Sequence, residues 1–197
     1  MYTTLSYFKF MIIVCSLKDL NVVCESVKPS HLISVIDPGY EPQTPNGVLN
    51  HLKLGFDDID EVSENNSIFR LNTDKFPQLP PNEDHTNSII DFTKDWDSRK
   101  PIVIHCWCGV SRSMATALYI LCKINPTNVD QNVRYMRSIA PHANPNKLMV
   151  SIFERYLNIE GQLIEAFNKY PHTTTYDCST TFAPVTIFKI KELKDFR

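Results

Sequence analysis

The chain has 197 residues, 43% of them apolar, enough for one sizeable buried core and, by length alone, one domain. Its 20 basic and 22 acidic residues leave a formal charge of -2, which excludes the basic field of a nucleic-acid or anionic-membrane binder, so any anion has to be recognised locally. The six cysteines, Cys15, Cys24, Cys106, Cys108, Cys122 and Cys178, lie mostly inside apolar stretches, the pattern of buried free thiols in a reducing, cytoplasmic compartment and not of a disulfide framework.

Residues 10–17, Phe-Met-Ile-Ile-Val-Cys-Ser-Leu, are apolar and β-branched, as in a strand covered on both faces. The apolar run around them, 8–17, is interrupted by Lys9 and falls short of the roughly 20 residues of a membrane span. It also lacks the basic start and small-residue cleavage site of a signal peptide. Residues 18–28 then carry Leu20, Val23, Cys24 and Val27 at helical spacing before Pro29. A second apolar run at 31–36 is ended by the turn Asp37-Pro38-Gly39. After a loop marked by Pro42, Pro45 and Gly47, residues 51–56 form a short strand that runs into the acidic cluster Asp57, Asp58 and Asp60.

Residues 61–84, with Pro77, Pro80 and Pro81, read as a long surface excursion of the kind that is functional or mobile. Ile89, Ile90, Phe92 and Trp96 place a helical stripe over 85–96, with His85 as a capping or surface residue. Residues 101–105 are another buried strand and 113–124 a strongly apolar helix, followed by helices over 129–140, 148–157 and 161–170. The alternation predicts an α/β fold with a central, mainly parallel sheet flanked by helices. We assign 1–170 to a single catalytic domain. The tail, 171–197, shifts to Thr, Asp, Ser and Pro and is either a late-packing strand and helix or partly disordered.

The chemistry is concentrated in Ile104-His-Cys-Trp-Cys-Gly-Val-Ser-Arg-Ser113, between a buried strand and an apolar helix. Unpaired amides of a tight loop and of a first helical turn hold an anion. A cysteine at the start of such a loop is expected to act as a thiolate nucleophile. Arg112 at its far end supplies planar, bidentate donors for phosphate oxygens. Gly109 frees the backbone to turn an amide inward.

His105-Cys106, five intervening residues and Arg112-Ser113 resemble the signature loop of the cysteine-based protein tyrosine phosphatases. The resemblance extends over about 32–157 and is nearest to small, dual-specificity-like bacterial enzymes whose loop also begins His-Cys-Trp. It implies a protein-tyrosine-phosphatase-like fold of the dual-specificity type and a phosphocysteine intermediate on Cys106. It further implies that Ser113 stabilises the leaving thiolate, that His105 orients the loop, and that 107–111 with Arg112 bind the phosphate. Those five positions are Trp107, Cys108, Gly109, Val110 and Ser111.

A leaving alkoxide or phenoxide needs a proton. In that family the acid is an aspartate on an upstream loop, and here Asp58 is the first choice, Asp57 the second and Asp60 the third. Asp58 lies 48 residues before Cys106, farther than in compact members, and the excess is about the size of the excursion after Glu61. Pro145 and Asn146 are similar to a Pro-Asn element that follows the signature helix in dual-specificity enzymes, where Asn146 would tie nearby backbone to the catalytic loop. Trp107 lines the pocket or packs the loop. Cys108 is taken as an inert loop position, since a bridge to Cys106 two residues away is geometrically poor. A zinc site on His105, Cys106 and Cys108 lacks a second ligand pair, and the proposed chemistry needs no metal or organic cofactor. The expected partner is a phosphorylated protein or peptide, with neither nucleic acid nor membrane. The loop carries no lysine, which disfavours an inositol phospholipid. A phosphate-binding interaction module and a sulfur-transfer domain are the rival readings.

Overall fold

The computed structural model describes residues 10–63 and 77–196. Four of the apolar segments become parallel strands: β1 (Met11–Ser16), β2 (His31–Ile36), β3 (Asn50–Gly55) and β4 (Ile102–Cys106). From the tail, β5 (Thr186–Lys189) adds antiparallel to β1, and the strand order is β3-β2-β4-β1-β5. Every residue of β1, β2 and β4 is buried, whereas the edge strand β3 is only partly covered. That difference is why the first three read as unbroken apolar runs. Alternation sends Ile12, Val14, Ile33, Val35, Ile102 and Ile104 to one face of the sheet and Met11, Ile13, Cys15, Leu32 and Val103 to the other.

The second face is covered by α1 (Leu20–Val27) through Leu20, Val23 and Cys24. Lys28, in the left-handed region, and Pro29 end that helix. The first face carries α2 (Glu83–Phe92), α3 (Arg112–Ile124), α4 (Val129–Ile139), α5 (Lys147–Leu157), α6 (Gln162–Lys169) and the short α7 (Ile190–Asp195). From Arg112 to Cys122, α3 is buried at every residue, because the sheet lies on one side and α4 and α5 on the other. No described helix is long and apolar enough to cross a membrane.

Both limits of α2 differ from the sequence expectation of 85–96. Helix α2 starts earlier, because Asn82 accepts from the His85 amide and His85 Nδ1 accepts from the Asn82 amide, a reciprocal cap. It ends before Trp96, with the Thr93 hydroxyl on the Ile90 carbonyl, and Trp96 instead donates its Nε1 hydrogen to the Lys100 carbonyl at 2.9 Å. Of the excursion read at 61–84, residues 64–76 lie outside the described residues. Its base is pinned: the Ser63 amide donates to Gln78 Oε1 at 2.9 Å, and Asp57 and Leu79 exchange two hydrogen bonds of 2.7 Å. The connections leaving β1, β2, β3 and β4 all emerge at the carboxyl edge of the parallel strands, where α/β sheets bind ligands.

Candidate active site

Cys106 is the last residue of β4 and Arg112 the first of α3, so 107–111 bridge a buried strand and a buried helix. Two groups converge on the Cys106 sulfur: Ser113 Oγ at 3.1 Å and the Gly109 amide at 3.3 Å. Gly109 has φ +78°, and a Cβ there would lie 3.2 Å from the Cys15 carbonyl carbon. The position therefore demands glycine both for its backbone angle and for its close approach to β1.

Four carbonyls around the loop are occupied from outside it. The Cys106 carbonyl faces His105 Nδ1 at 3.2 Å, the Trp107 carbonyl accepts from the Leu17 amide at 3.1 Å, the Cys108 carbonyl from Ala183 at 3.1 Å, and the Val110 carbonyl from Asn144 at 3.0 Å. In a trans peptide the carbonyl and the next N–H point in opposite directions. Tying these carbonyls outward turns the amides of Trp107, Cys108, Gly109 and Ser111 toward the loop's interior. The Gly109 amide, which meets the Cys106 sulfur, follows this pattern. The result is a concave set of donors at a helix N-terminus, suited to an oxyanion.

Arg112 is 1% exposed and closes this cradle. Its Nη1 pairs with Asp37 Oδ1 at 2.6 Å and donates to the Phe56 carbonyl. Its Nε lies 3.7 Å from Asp58 Oδ2 and makes no hydrogen bond among the described residues. Burial opposes the guanidinium charge, but Asp58, Cys106 and Asp37 outweigh it and raise the pKa above the ordinary arginine value. Asp37 was legible only as the start of a turn; the structure makes it the buried counter-charge of Arg112, 3% exposed at its side chain.

The three candidate aspartates separate by contact. Asp58 Oδ1 accepts from the Ser111 hydroxyl at 2.6 Å and from Asn146 Nδ2 at 3.0 Å, and its side chain is 34% exposed beside Arg112. Asp57 is fully buried and engaged with Leu79, while Asp60 Oδ1 accepts from the Leu148 amide in the first turn of α5. Asn146 also caps α5, its Oδ1 accepting from the Met149 amide at 2.9 Å. Its side chain therefore holds the Asp58 segment, while the direct tie to the 107–111 loop comes from the Asn144 amide. An open cleft of about 550 Å³ runs beside Asp58, with Ser111, Asn146 and Lys147 on its walls.

His105 is fully buried, and its Nε2 lies 2.6 Å from Ser34 Oγ. Burial pushes its pKa down to about 4, so the ring is neutral at physiological pH. Trp107 is half-buried and meets the Tyr40 ring edge-on, with centroids 5.2 Å apart. Cys108 corrects the sequence reading: it forms a disulfide with Cys178, with the Cα atoms 5.6 Å apart. The inert-position reading weighed Cys108 only against its near neighbour Cys106, whereas its partner lies 70 residues away in the tail. Cys15, Cys24, Cys106 and Cys122 are free and buried.

No family model matches the chain. A curated relative, "Putative tyrosine-protein phosphatase R622" of Acanthamoeba polyphaga mimivirus, is 31% identical over 81 residues, 38% of this chain and 38% of that protein. The matched region thus spans well under half of that relative's length. Among solved structures, DUSP15 superposes with a TM-score of 0.55 at 15% identity, over 82% of this chain and 94% of its own. Human DUSP28 gives 0.54 at 15%, over 75% and 91%, and Cydia Pomonella PTP-2 phosphatase gives 0.52 at 19%, over 73% and 84%. At these identities the likeness establishes the fold, which is the one these phosphatases share. The finer likeness to small bacterial enzymes gains no support from these matches.

Proposed function

We propose that this chain, which has the fold and the signature loop of the cysteine-based tyrosine and dual-specificity phosphatases, hydrolyses phosphate monoesters through a phosphocysteine intermediate. The observation that carries the reading is the Cys106 sulfur, met by the Gly109 amide and the Ser113 hydroxyl, at the start of a loop whose carbonyls are tied outward and which ends at the buried Arg112. In the first step the Cys106 thiolate attacks phosphorus and the ester P–O bond breaks, with the transferring oxygens held by the amides and by Arg112 Nε. Asp58 gives its proton to the departing oxygen. In the second step water attacks the phosphocysteine and passes a proton to Asp58, and the S–P bond breaks to release phosphate. The Ser113 hydroxyl, 3.1 Å from the sulfur, is placed to stabilise the thiolate that leaves. Ser111 and Asn146 hold the Asp58 carboxyl at the rim in both steps.

The substrate on this reading is a phosphorylated protein or peptide, since 107–111 contain no lysine to meet further phosphates on an inositol ring. A cytoplasmic site of action agrees with the four free thiols, whereas the Cys108–Cys178 disulfide is the kind of bond an oxidising compartment keeps. The test is hydrolysis of a small aryl phosphate by the parent, Cys106→Ser, Arg112→Ala and Asp58→Asn. Activity is expected to vanish in the first two. Asp58→Asn is expected to lose the fall in rate toward high pH, and its defect is expected to shrink as the leaving phenol becomes more acidic. A folded parent that binds phosphopeptide without turnover would move the assignment to a binding module.

A further inference from the structure

His105 does not act alone. Its Nε2 lies 2.6 Å from Ser34 Oγ, Ser34 Oγ lies 2.7 Å from His51 Nε2, and His51 Nδ1 lies 2.9 Å from Thr44 Oγ1. The chain of contacts crosses three neighbouring strands: Ser34 on β2 is in register with His105 on β4, and His51 on β3, whose register partner is Leu32, reaches Ser34 from two positions along. It runs from a fully buried ring to an exposed threonine.

Each hydrogen in this chain follows from the one before. The Cys106 carbonyl, 3.2 Å from His105 Nδ1, only accepts, so Nδ1 carries the hydrogen. A neutral His105 then has a lone pair at Nε2, which must receive the Ser34 hydroxyl hydrogen. With that hydrogen used, Ser34 Oγ accepts from His51 Nε2–H, which leaves the His51 Nδ1 lone pair for the Thr44 hydroxyl. Both rings stay neutral. Burial is the largest influence on each and lowers both pKa values to about 4; the hydrogen bond to the Cys106 carbonyl works against it at His105, while Lys53 near His51 and Arg112 near His105 push the same way as burial.

We propose that Thr44, His51 and Ser34 form a positioning relay that holds His105 in its Nδ1–H tautomer, fixes the peptide plane between Cys106 and Trp107, and so aims the Trp107 amide into the oxyanion cradle. The last link rests on the phosphatase reading of the loop; the first does not. Without the Ser34 hydroxyl, one of the two contacts that favour the Nδ1–H tautomer is lost, the Nε2–H form gains population, and the hold of His105 on the Cys106 carbonyl weakens. None of the three residues touches the phosphate, so each acts through His105 and one amide.

The experiment uses the full-length chain as parent, Ser34→Ala, His51→Phe and His51→Gln. Two readouts are taken: the imidazole nitrogen-15 spectrum of His105 at pH 7, and the affinity for inorganic phosphate in a Cys106→Ser background. The parent is expected to show the Nδ1–H tautomer. Ser34→Ala and His51→Phe are expected to populate the Nε2–H form and to bind phosphate about tenfold more weakly, the cost of one misaimed donor to a charged group. His51→Gln, whose amide keeps a donor near the Ser34 hydroxyl, is expected to behave as the parent. An unchanged tautomer in folded Ser34→Ala and His51→Phe would overturn the relay, even if their melting temperatures fall. Should Ser34→Ala fail to fold, His51→Phe carries the test at the half-buried end. A parent that binds no phosphate would defeat the functional reading, while the tautomer spectra would still decide the relay.

Discussion

Asp37 and Arg112 show how a site residue escapes sequence inspection. An aspartate followed by Pro38-Gly39 has a complete local explanation as a turn, and nothing in the residues between it and Arg112 links the two. Cys106, Arg112 and Ser113 were legible because loop, strand end and helix start fall within one short segment, where spacing fixes geometry. Asp37 meets Arg112 only because β2 and β4 are neighbours in the sheet. Both side chains are almost wholly buried, so removing the Asp37 charge leaves the Arg112 guanidinium to the more distant Asp58 carboxylate, 3.7 Å from Nε. Asp37→Asn is expected to destabilise the fold by about 3 kcal/mol. Turnover of an aryl phosphate should fall at least tenfold, because Arg112 Nη1 loses the anchor that sets the guanidinium plane. Urea unfolding and steady-state kinetics on the same preparation check both effects. Full activity with intact stability would mean that the Phe56 carbonyl alone suffices to hold Arg112.

At the scale of elements, periodicity served well for segments whose burial is decided by neighbouring structure. The runs that became β1, β2, β4 and α3 were visible because they are covered throughout, and the stripe that became α1 because Leu20, Val23 and Cys24 share the one face that meets the sheet. The tail was not decidable in this way. Residues 171–185 carry no period, and β5 exists because β1 offers it an edge, with the Tyr135 hydroxyl bonded to both the amide and the carbonyl of Lys189. The tail also reaches the 107–111 loop, through Ala183 on the Cys108 carbonyl and through the Cys108–Cys178 disulfide. A polar stretch with one cysteine gives no sign of either contact. Closing a loop of 70 residues by a disulfide is worth about 4 kcal/mol on chain-entropy grounds. Reductant should therefore lower the melting temperature of the parent and speed proteolysis within 171–185. Cys178→Ser should start at the lowered value and respond no further. A parent whose melting is indifferent to reductant would show that the tail is held by β5 and Ala183 without help from sulfur.

The molecule as a whole couples its core to pH through the buried imidazoles. His105 and His51 each have a folded pKa of about 4 against an ordinary imidazole value of 6.5, with burial as the largest cause. Above pH 6.5 both rings are neutral folded and unfolded, and stability does not depend on them. Between pH 6.5 and 4 the unfolded chain takes up protons that the folded chain refuses, so the contribution of these rings is progressively lost as pH falls. Below pH 4 both states are protonated and the slope disappears. His105, fully buried, accounts for about 2 kcal/mol between pH 6.5 and 5, at roughly 1.4 kcal/mol for each pH unit. His31, His85 and His142 are shifted downward as well, burial being the first cause in each, and add to the same trend. Urea unfolding from pH 7 to 5 is expected to give a free energy that falls steadily toward the acid end, in a range where most carboxylates stay ionised. His51→Gln should flatten part of that slope, since it removes one titrating ring and keeps a donor for Ser34. A slope unaltered by His51→Gln would mean that His51 is reached by protons in the folded state, and the relay would then open to solvent at its Thr44 end before the core unfolds.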